Sequence, residues 1–169
     1  NLESNLLLET LLDSAKKNKV KIIYGYTGQK FYIGNTTLEI LSPDRYQKYT
    51  TSNNHSLVVL VSYENKKILL TGDIEKEIIN TISIQEDIDI LKAPHHGSNT
   101  GVSKEFFNNS NIKLSVISCG ENNLYGHPGE DFLNLLKAKK IPFLRTDSQG
   151  TISIIFKREE EFLIKTILD

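Results

Sequence analysis

The 169 residues include one cysteine, no methionine and no tryptophan. A lone Cys119 excludes an intrachain disulfide and any zinc site built on a cysteine cluster. Standing at the end of Leu114-Ser115-Val116-Ile117-Ser118-Cys119-Gly120, it reads as a small buried hydrophobe. No apolar run approaches the roughly 20 residues needed to cross a bilayer, and no charged-then-apolar leader opens the chain. A soluble domain is therefore the expectation. A net charge of -1 supplies no strong overall field toward nucleic acid or anionic lipid. Local patches remain open at Lys16, Lys17, Lys19 and Lys21, or at Lys137, Lys139 and Lys140, although solvated helix faces explain these lysines as well. There is no Gly-x-Ser-x-Gly elbow for serine hydrolysis and no Gly-x-x-x-x-Gly-Lys-Ser/Thr loop to cradle a nucleotide phosphate. The lack of any methionine, with Asn1 at the start, points to an excised, processed or partial polypeptide.

What is present suits one domain over 1–169: 38% hydrophobic and 24% charged residues are ordinary for a globular protein. Leu7, Leu8, Leu11, Leu12 and Ala15 form a helical stripe over Leu2 to Lys17, with basic residues at its end. Short strands are expected at Lys21–Tyr24, Lys30–Ile33 and Thr37–Leu41, the last two joined through Gly34-Asn35. Ser42–Asn54 reads as a loop. Ser56–Tyr63 is almost continuously apolar, the pattern of a strand buried on both faces, and Lys67–Thr71 returns from it, presenting Asp73 at a sheet edge. Then come a helix over Ile74–Ile82, a strand over Asp87–Lys92, a helix over Ser103–Asn108 capped by Ser103, and a strand over Lys113–Ser118. This alternation predicts an α/β fold with parallel pairing and helices on the sheet faces. A polar loop over Glu121–Gly129, a helix over Glu130–Lys140, a strand over Pro142–Arg145 and a hairpin of Thr151–Phe156 with Phe162–Leu168 through Lys157–Glu161 complete the expectation.

The chemistry gathers in a few residues. Half of the four histidines stand side by side in Lys92-Ala93-Pro94-His95-His96-Gly97-Ser98, after an apolar strand. Asp73 follows another strand, and His127 lies in Tyr125-Gly126-His127-Pro128. In open α/β sheets, ligands bind beyond the carboxyl ends of the strands, so residues distant in sequence converge there. A His/Asp set without cysteine fits zinc, manganese or iron used to polarise a substrate oxygen. Simpler roles stay open: Asp73 as a helix cap and His127 as a loop histidine. His55 is expected to be solvated.

The ordered set Asn54-x-Ser56, Leu69-Leu70-Thr71-Gly72-Asp73, Leu91-Lys92-Ala93-Pro94-His95-His96-Gly97-Ser98, Val116-Ile117-Ser118, Asn122-Asn123-x-Tyr125-Gly126-His127-Pro128 and Arg145-Thr146-Asp147-x-x-Gly150 resembles the metallo-β-lactamase-fold domain of ComEC competence proteins and their stand-alone relatives. The resemblance runs from about Gly28 to Phe156 and covers the later part of that family's domain. It implies an αββα sandwich and metal-dependent hydrolysis, with nuclease or phosphodiesterase action on DNA during uptake as the family's suggested role. It implies two divalent ions, zinc or manganese, with Asp73 as the bridging ligand and His127 as a late ligand. His95 and His96 would act on the phosphate, Ser98 and Asn54 would line the substrate site, and Asp147 would support it. The family's Thr-His-x-Asp-x-Asp-His type segment is absent, since no histidine precedes His55. The chain is therefore expected to be the C-terminal portion of a domain and inactive alone. By the same resemblance it would be cytoplasmic if free-standing, or membrane-attached with a channel upstream. A non-catalytic binding or regulatory module, and hydrolysis of a small ester, thioester or lactam, remain as alternatives.

Overall fold

The structure, a computed structural model, describes residues 2–156 and 162–168. Helix α1 (Leu2–Lys17) leads into strands β1 (Lys30–Ile33), β2 (Thr36–Ser42), β3 (Val58–Tyr63) and β4 (Lys66–Leu70), which form an antiparallel meander. From β4 onward the connections carry helices and the pairing turns parallel: β5 (Ile88–Lys92), β6 (Ile112–Ile117) and β7 (Phe143–Arg145) complete a seven-stranded sheet in simple sequential order. Between them lie α2 (Lys76–Ile79), α3 (Lys104–Asn109) and α4 (Glu130–Ala138). A short α5 (Thr146–Gln149) precedes a separate antiparallel pair, β8 (Ile152–Ile155) and β9 (Leu163–Thr166). The fold is mixed α/β, a seven-stranded sheet accompanied by this two-stranded one. The connection expected through Lys157–Glu161 lies outside the described residues.

One apolar core joins the sheet to its helices. Ile78 and Ile79 of α2, Phe106 and Phe107 of α3, and Phe132 and Leu136 of α4 pack with Leu69, Ile88, Leu91 and Ile117 from the strands. Phe107 meets both Phe106 and Phe132 edge-on, at centroid distances of 5.4 and 5.9 Å. Ser103 caps α3 as the sequence suggests: its hydroxyl accepts from Phe106 N and donates to Asn80.

Four expectations are corrected. Lys21–Tyr24 forms no strand; Ile22, Ile23 and Tyr24 are exposed, and propensity alone cannot make a strand without a neighbour to pair with. The Ile74–Ile82 helix shrinks to one turn. Glu75 is extended, its N–H bound by Asn54 Oδ1, while Ile74, Ile78, Ile79 and Ile82 still enter the core. Strand β3 buries Val58 and Leu60 but leaves the alternate positions partly open, so it has one covered face rather than two. Asp73 stands beyond β4, the middle strand, and not at an edge of the sheet. Helix α1 forms as expected, with Leu7 and Leu11 73% and 66% exposed.

Candidate functional site

Four neighbouring parallel strands, β4 to β7, end on the same side of the sheet, and each delivers one part of the site. Asp73 follows β4, the histidine pair follows β5, Ser118 and Cys119 follow β6, and Thr146 and Asp147 follow β7. His127 comes in from the loop that enters α4. Convergence beyond the carboxyl ends therefore unites residues 54 positions apart in sequence.

The local backbone is built for this approach. Gly72 (φ +57°) sits so close to Ser56 that a Cβ would lie 2.7 Å from the serine Cβ. That approach lets Ser56 Oγ accept the Asp73 N–H at 3.0 Å. His95 and His96 both adopt the left-handed conformation (φ 45° and 55°), followed by Gly97 at φ +77°. Two successive non-glycine residues in this region carry strain of order 1–2 kcal/mol each, which the surrounding fold must hold. Gly97 is wedged against Pro128, Ile117 and Phe132, and its carbonyl accepts from Gly129 N at 2.9 Å, locking the His127 loop to the histidine pair.

His96 Nδ1 lies 2.7 Å from the carbonyl oxygen of Ser118. A carbonyl only accepts, so Nδ1 carries the proton, and in the neutral ring Nε2 presents a lone pair. Nε2 is 3.3 Å from Asp73 Oδ1, with both side chains about two-fifths exposed (43% and 42%). Two acceptors at this distance are favourable only with a cation between or beside them, a proton or a metal ion. The His127 ring lies 5.5 Å from that of His95 and 6.4 Å from that of His96. Burial, and then the two neighbouring imidazoles, pull its pKa below the ordinary histidine value, while Asp73 opposes them. Among the described residues no three His, Cys, Asp or Glu groups are arranged to hold a metal ion by themselves.

His95 faces a different set of partners. Its Nδ1 is 3.0 Å from Thr100 Oγ1 and 3.8 Å from Glu75 Oε1, and Asn53 Nδ2 approaches its Nε2 at 3.4 Å. Ser98, expected to touch substrate, is buried and bonds instead to Thr100 N and Thr100 Oγ1, so it steadies the turn that positions His95. Asn54, the other expected substrate contact, is fully buried. Its Oδ1 accepts from Glu75 N at 2.9 Å and its Nδ2 donates to Glu77 Oε2 at 3.0 Å, tying the preceding loop to α2. Both lie behind the site because their hydrogen-bonding capacity is spent on the backbone and on neighbours that shape it.

Asp147 is held in a bidentate pair by Arg145, at 3.0 and 2.6 Å, and this guanidinium keeps its carboxyl below the usual carboxylate range. Next to it, Thr146 Oγ1 accepts from Cys119 N and donates to Cys119 O, each at 2.8 Å, fixing the segment whose Ser118 carbonyl orients His96. Cys119 is half-buried, and burial together with Asp147 pushes its thiol pKa up, consistent with an inert packing residue. His55 is exposed and edge-on to Tyr49 at 4.7 Å, away from the site.

Sequence reasoning left Lys92, Glu75 and Thr100 without a role. Lys92 Nζ donates to Gly72 O (3.2 Å) and Ala93 O (3.0 Å) and lies 3.9 Å from Asp73 Oδ1; burial lowers its pKa and Asp73 opposes this. Lys92 ends its strand next to the histidine turn, but the acidic loop it meets lies about twenty residues earlier in the chain and adjoins it only in the fold. Glu75 and Thr100 gave no signal, since neither borders the histidines in sequence.

No family model matches the chain. ComE operon protein 3 of Bacillus subtilis is 35% identical to it over 153 residues, covering 88% of this chain and 20% of the relative. Competence protein ComA of Neisseria gonorrhoeae is 31% identical over 128 residues, covering 73% of the chain and 18% of the relative. The chain thus spans about a fifth of the length of the curated relatives it matches. A solved structure from Parabacteroides distasonis, provisionally named a metal-dependent hydrolase, superposes with a TM-score of 0.52 at 15% identity, over 80% of this chain and 61% of its own. Sequence likeness to the competence proteins and structural likeness to this hydrolase fold agree: the chain is a domain of the ComEC type with a metallo-β-lactamase-like fold.

Proposed function

We propose that this chain forms one wall of a metal-dependent phosphodiesterase site acting on DNA. The observation that carries the reading is the Asp73–His96 pair, in which Ser118 fixes the imidazole so that its free nitrogen meets a carboxylate at 3.3 Å. A histidine that donates one N–H to a carbonyl and turns the other nitrogen inward is the common arrangement of a metal ligand. Oxygen and imidazole donors without thiolate suit zinc or manganese. Asp73, His96 and His127 would hold the metal, the remaining donors coming from a His-x-Asp-x-Asp-His type segment elsewhere in the intact protein. When bound, divalent ions polarise the phosphoryl oxygens and stabilise the charge that develops on them.

The chain's own groups divide the remaining work. Lys92, anchored on two carbonyls, keeps a positive charge beside Asp73 and holds the ends of β4 and β5 in register. His95 is the proton-transfer group beside the reacting phosphate. Thr100 and Glu75 on its Nδ1 side orient the ring, and Asn53 Nδ2, which only donates, approaches Nε2, so that Nε2 is the accepting nitrogen turned toward substrate. His96 is thereby reassigned from proton transfer to metal binding. The competence names of the relatives support DNA as the phosphodiester.

The test uses the full-length protein with added manganese or zinc. Asp73→Asn, His96→Ala and His127→Ala should each abolish cleavage of a phosphodiester and reduce bound metal, and unchanged hydrolysis in any of them refutes the assignment. The incomplete donor set favours one second reading, a non-catalytic module. Full-length protein that binds no stoichiometric metal would establish that reading instead.

A further inference from the structure

Beyond the histidines, the loop before α4 carries a feature the catalytic reading does not use. Leu124 and Tyr125 are 99% and 84% exposed, side by side at the rim of the site. Two large apolar side chains left in water on one turn call for an occupant when they adjoin a site. The Tyr125 ring lies 5.9 Å from the His127 ring with only 19° between their planes, and His127 is similarly aligned with His96, at 6.4 Å and 12°. Three near-parallel rings thus step outward from Asp73 to solvent, ending on the open face of a tyrosine.

The platform is preorganised. Asn123 Oδ1 accepts from His127 N at 2.8 Å, and its Nδ2 donates to His127 O at 2.6 Å and Gly120 O at 2.9 Å. Gly126 (φ +66°), whose N–H reaches Asn123 O at 3.2 Å, closes the turn without a neighbour within 4 Å of its absent side chain. The clamped turn fixes the backbone on both sides of Tyr125 before ligand arrives, which lowers the entropic cost of binding.

From these observations we infer that Leu124 and Tyr125 form a stacking platform for an unpaired nucleobase next to the cleaved phosphate, making single-stranded nucleic acid the substrate class. The inference rests on the phosphodiesterase reading for the position of the phosphate. A net charge of -1 gives the chain little general attraction for the backbone, so aromatic stacking, which every base can satisfy, must carry much of the recognition. Bases paired in a duplex present no free face to Tyr125.

The experiment compares full-length wild type, Tyr125→Ala and Tyr125→Phe on a labelled oligothymidylate and on an abasic oligonucleotide of equal length. Anisotropy with divalent ions chelated reads binding alone, and metal-supported hydrolysis reads KM and kcat. Tyr125→Ala should raise Kd and KM for oligothymidylate about 5- to 100-fold, leaving the abasic strand and kcat nearly unchanged, while Tyr125→Phe behaves as wild type. Equal losses on both strands would mark Tyr125 as a structural support. No loss on either, or no binding of oligothymidylate by wild type, would leave the patch to a protein partner; each of these three results overturns the inference. If wild type cleaves neither strand but the binding contrast persists, the phosphodiesterase reading fails and the platform stands.

Discussion

Substitution of Gly97 by alanine tests whether the histidine turn is held by close packing as well as by backbone conformation. A Cβ at this position would stand 2.8 Å from Pro128 Cβ, 3.2 Å from Ile117 Cγ2 and 3.3 Å from Phe132 Cδ1. Ile117 and Phe132 belong to the fully buried core, so neither can swing into solvent. Holding alanine at φ +77° costs about 1–2 kcal/mol. Forcing a methyl into a filled interior adds about 1–3 kcal/mol. Gly126→Ala is the matched control, because Gly126 has φ +66° but nothing within 4 Å of its absent side chain, so only the conformational cost applies. Urea denaturation followed by circular dichroism should place Gly97→Ala about 2–5 kcal/mol below wild type and Gly126→Ala about 1–2 kcal/mol below. In thermal melts the contrast should appear as several degrees between the two variants, at about 2–4 °C per kcal/mol for a chain of this size. Equal destabilisation of the two, within about 0.5 kcal/mol, would refute the claim that the Gly97 contact holds the His127 loop against the histidine turn.

Two further outcomes follow from buried and paired polar groups. Asn54→Ala should lower stability by about 1–3 kcal/mol in the same denaturation assay, because Glu75 N loses its acceptor inside the protein. Asn54→Asp should not restore it, since the new carboxylate would meet that of Glu77 where Nδ2 now donates. For Asp147, whose folded pKa is depressed by Arg145, the stabilisation is present above the ordinary carboxylate value near ~3.9 and is lost as pH falls through the lower folded value. Melting temperatures measured from neutral pH down to that range should therefore drop more steeply for wild type than for Asp147→Asn. The difference is about 0.5–1 kcal/mol, modest because the guanidinium is partly solvated.

Legibility in the sequence tracked how local the cause was. The Gly34-Asn35 turn, the Ser103 cap and the parallel order of the later strands were readable because turn chemistry, capping and strand-helix alternation are short-range signals. Lys21–Tyr24 and the long form of α2 were misread because a strand needs a partner, and because a helix start can be set by a distant side chain, here Asn54. Within the candidate site, the residues that the structure brings together, Asp73, His95, His96 and His127, were visible in the sequence. The split between residues facing the cleft and residues behind it was not. Ser98 and Asn54 look like any polar residue near a motif until their partners are known.

The sequence by itself determined the chemical inventory: oxygen and imidazole donors without a cysteine cluster, a near-neutral charge, glycines where the chain must pass close, and an order of strands that brings the donors to one edge. Only the tertiary structure decided what each donor can do. Ser118 O, reaching from the end of the neighbouring strand, fixes the tautomer of His96, while Arg145 engages Asp147 and Asn123 clamps the His127 backbone within single turns whose shape spacing alone does not reveal. Composition and spacing carry no record of which lone pair remains free once the backbone has folded.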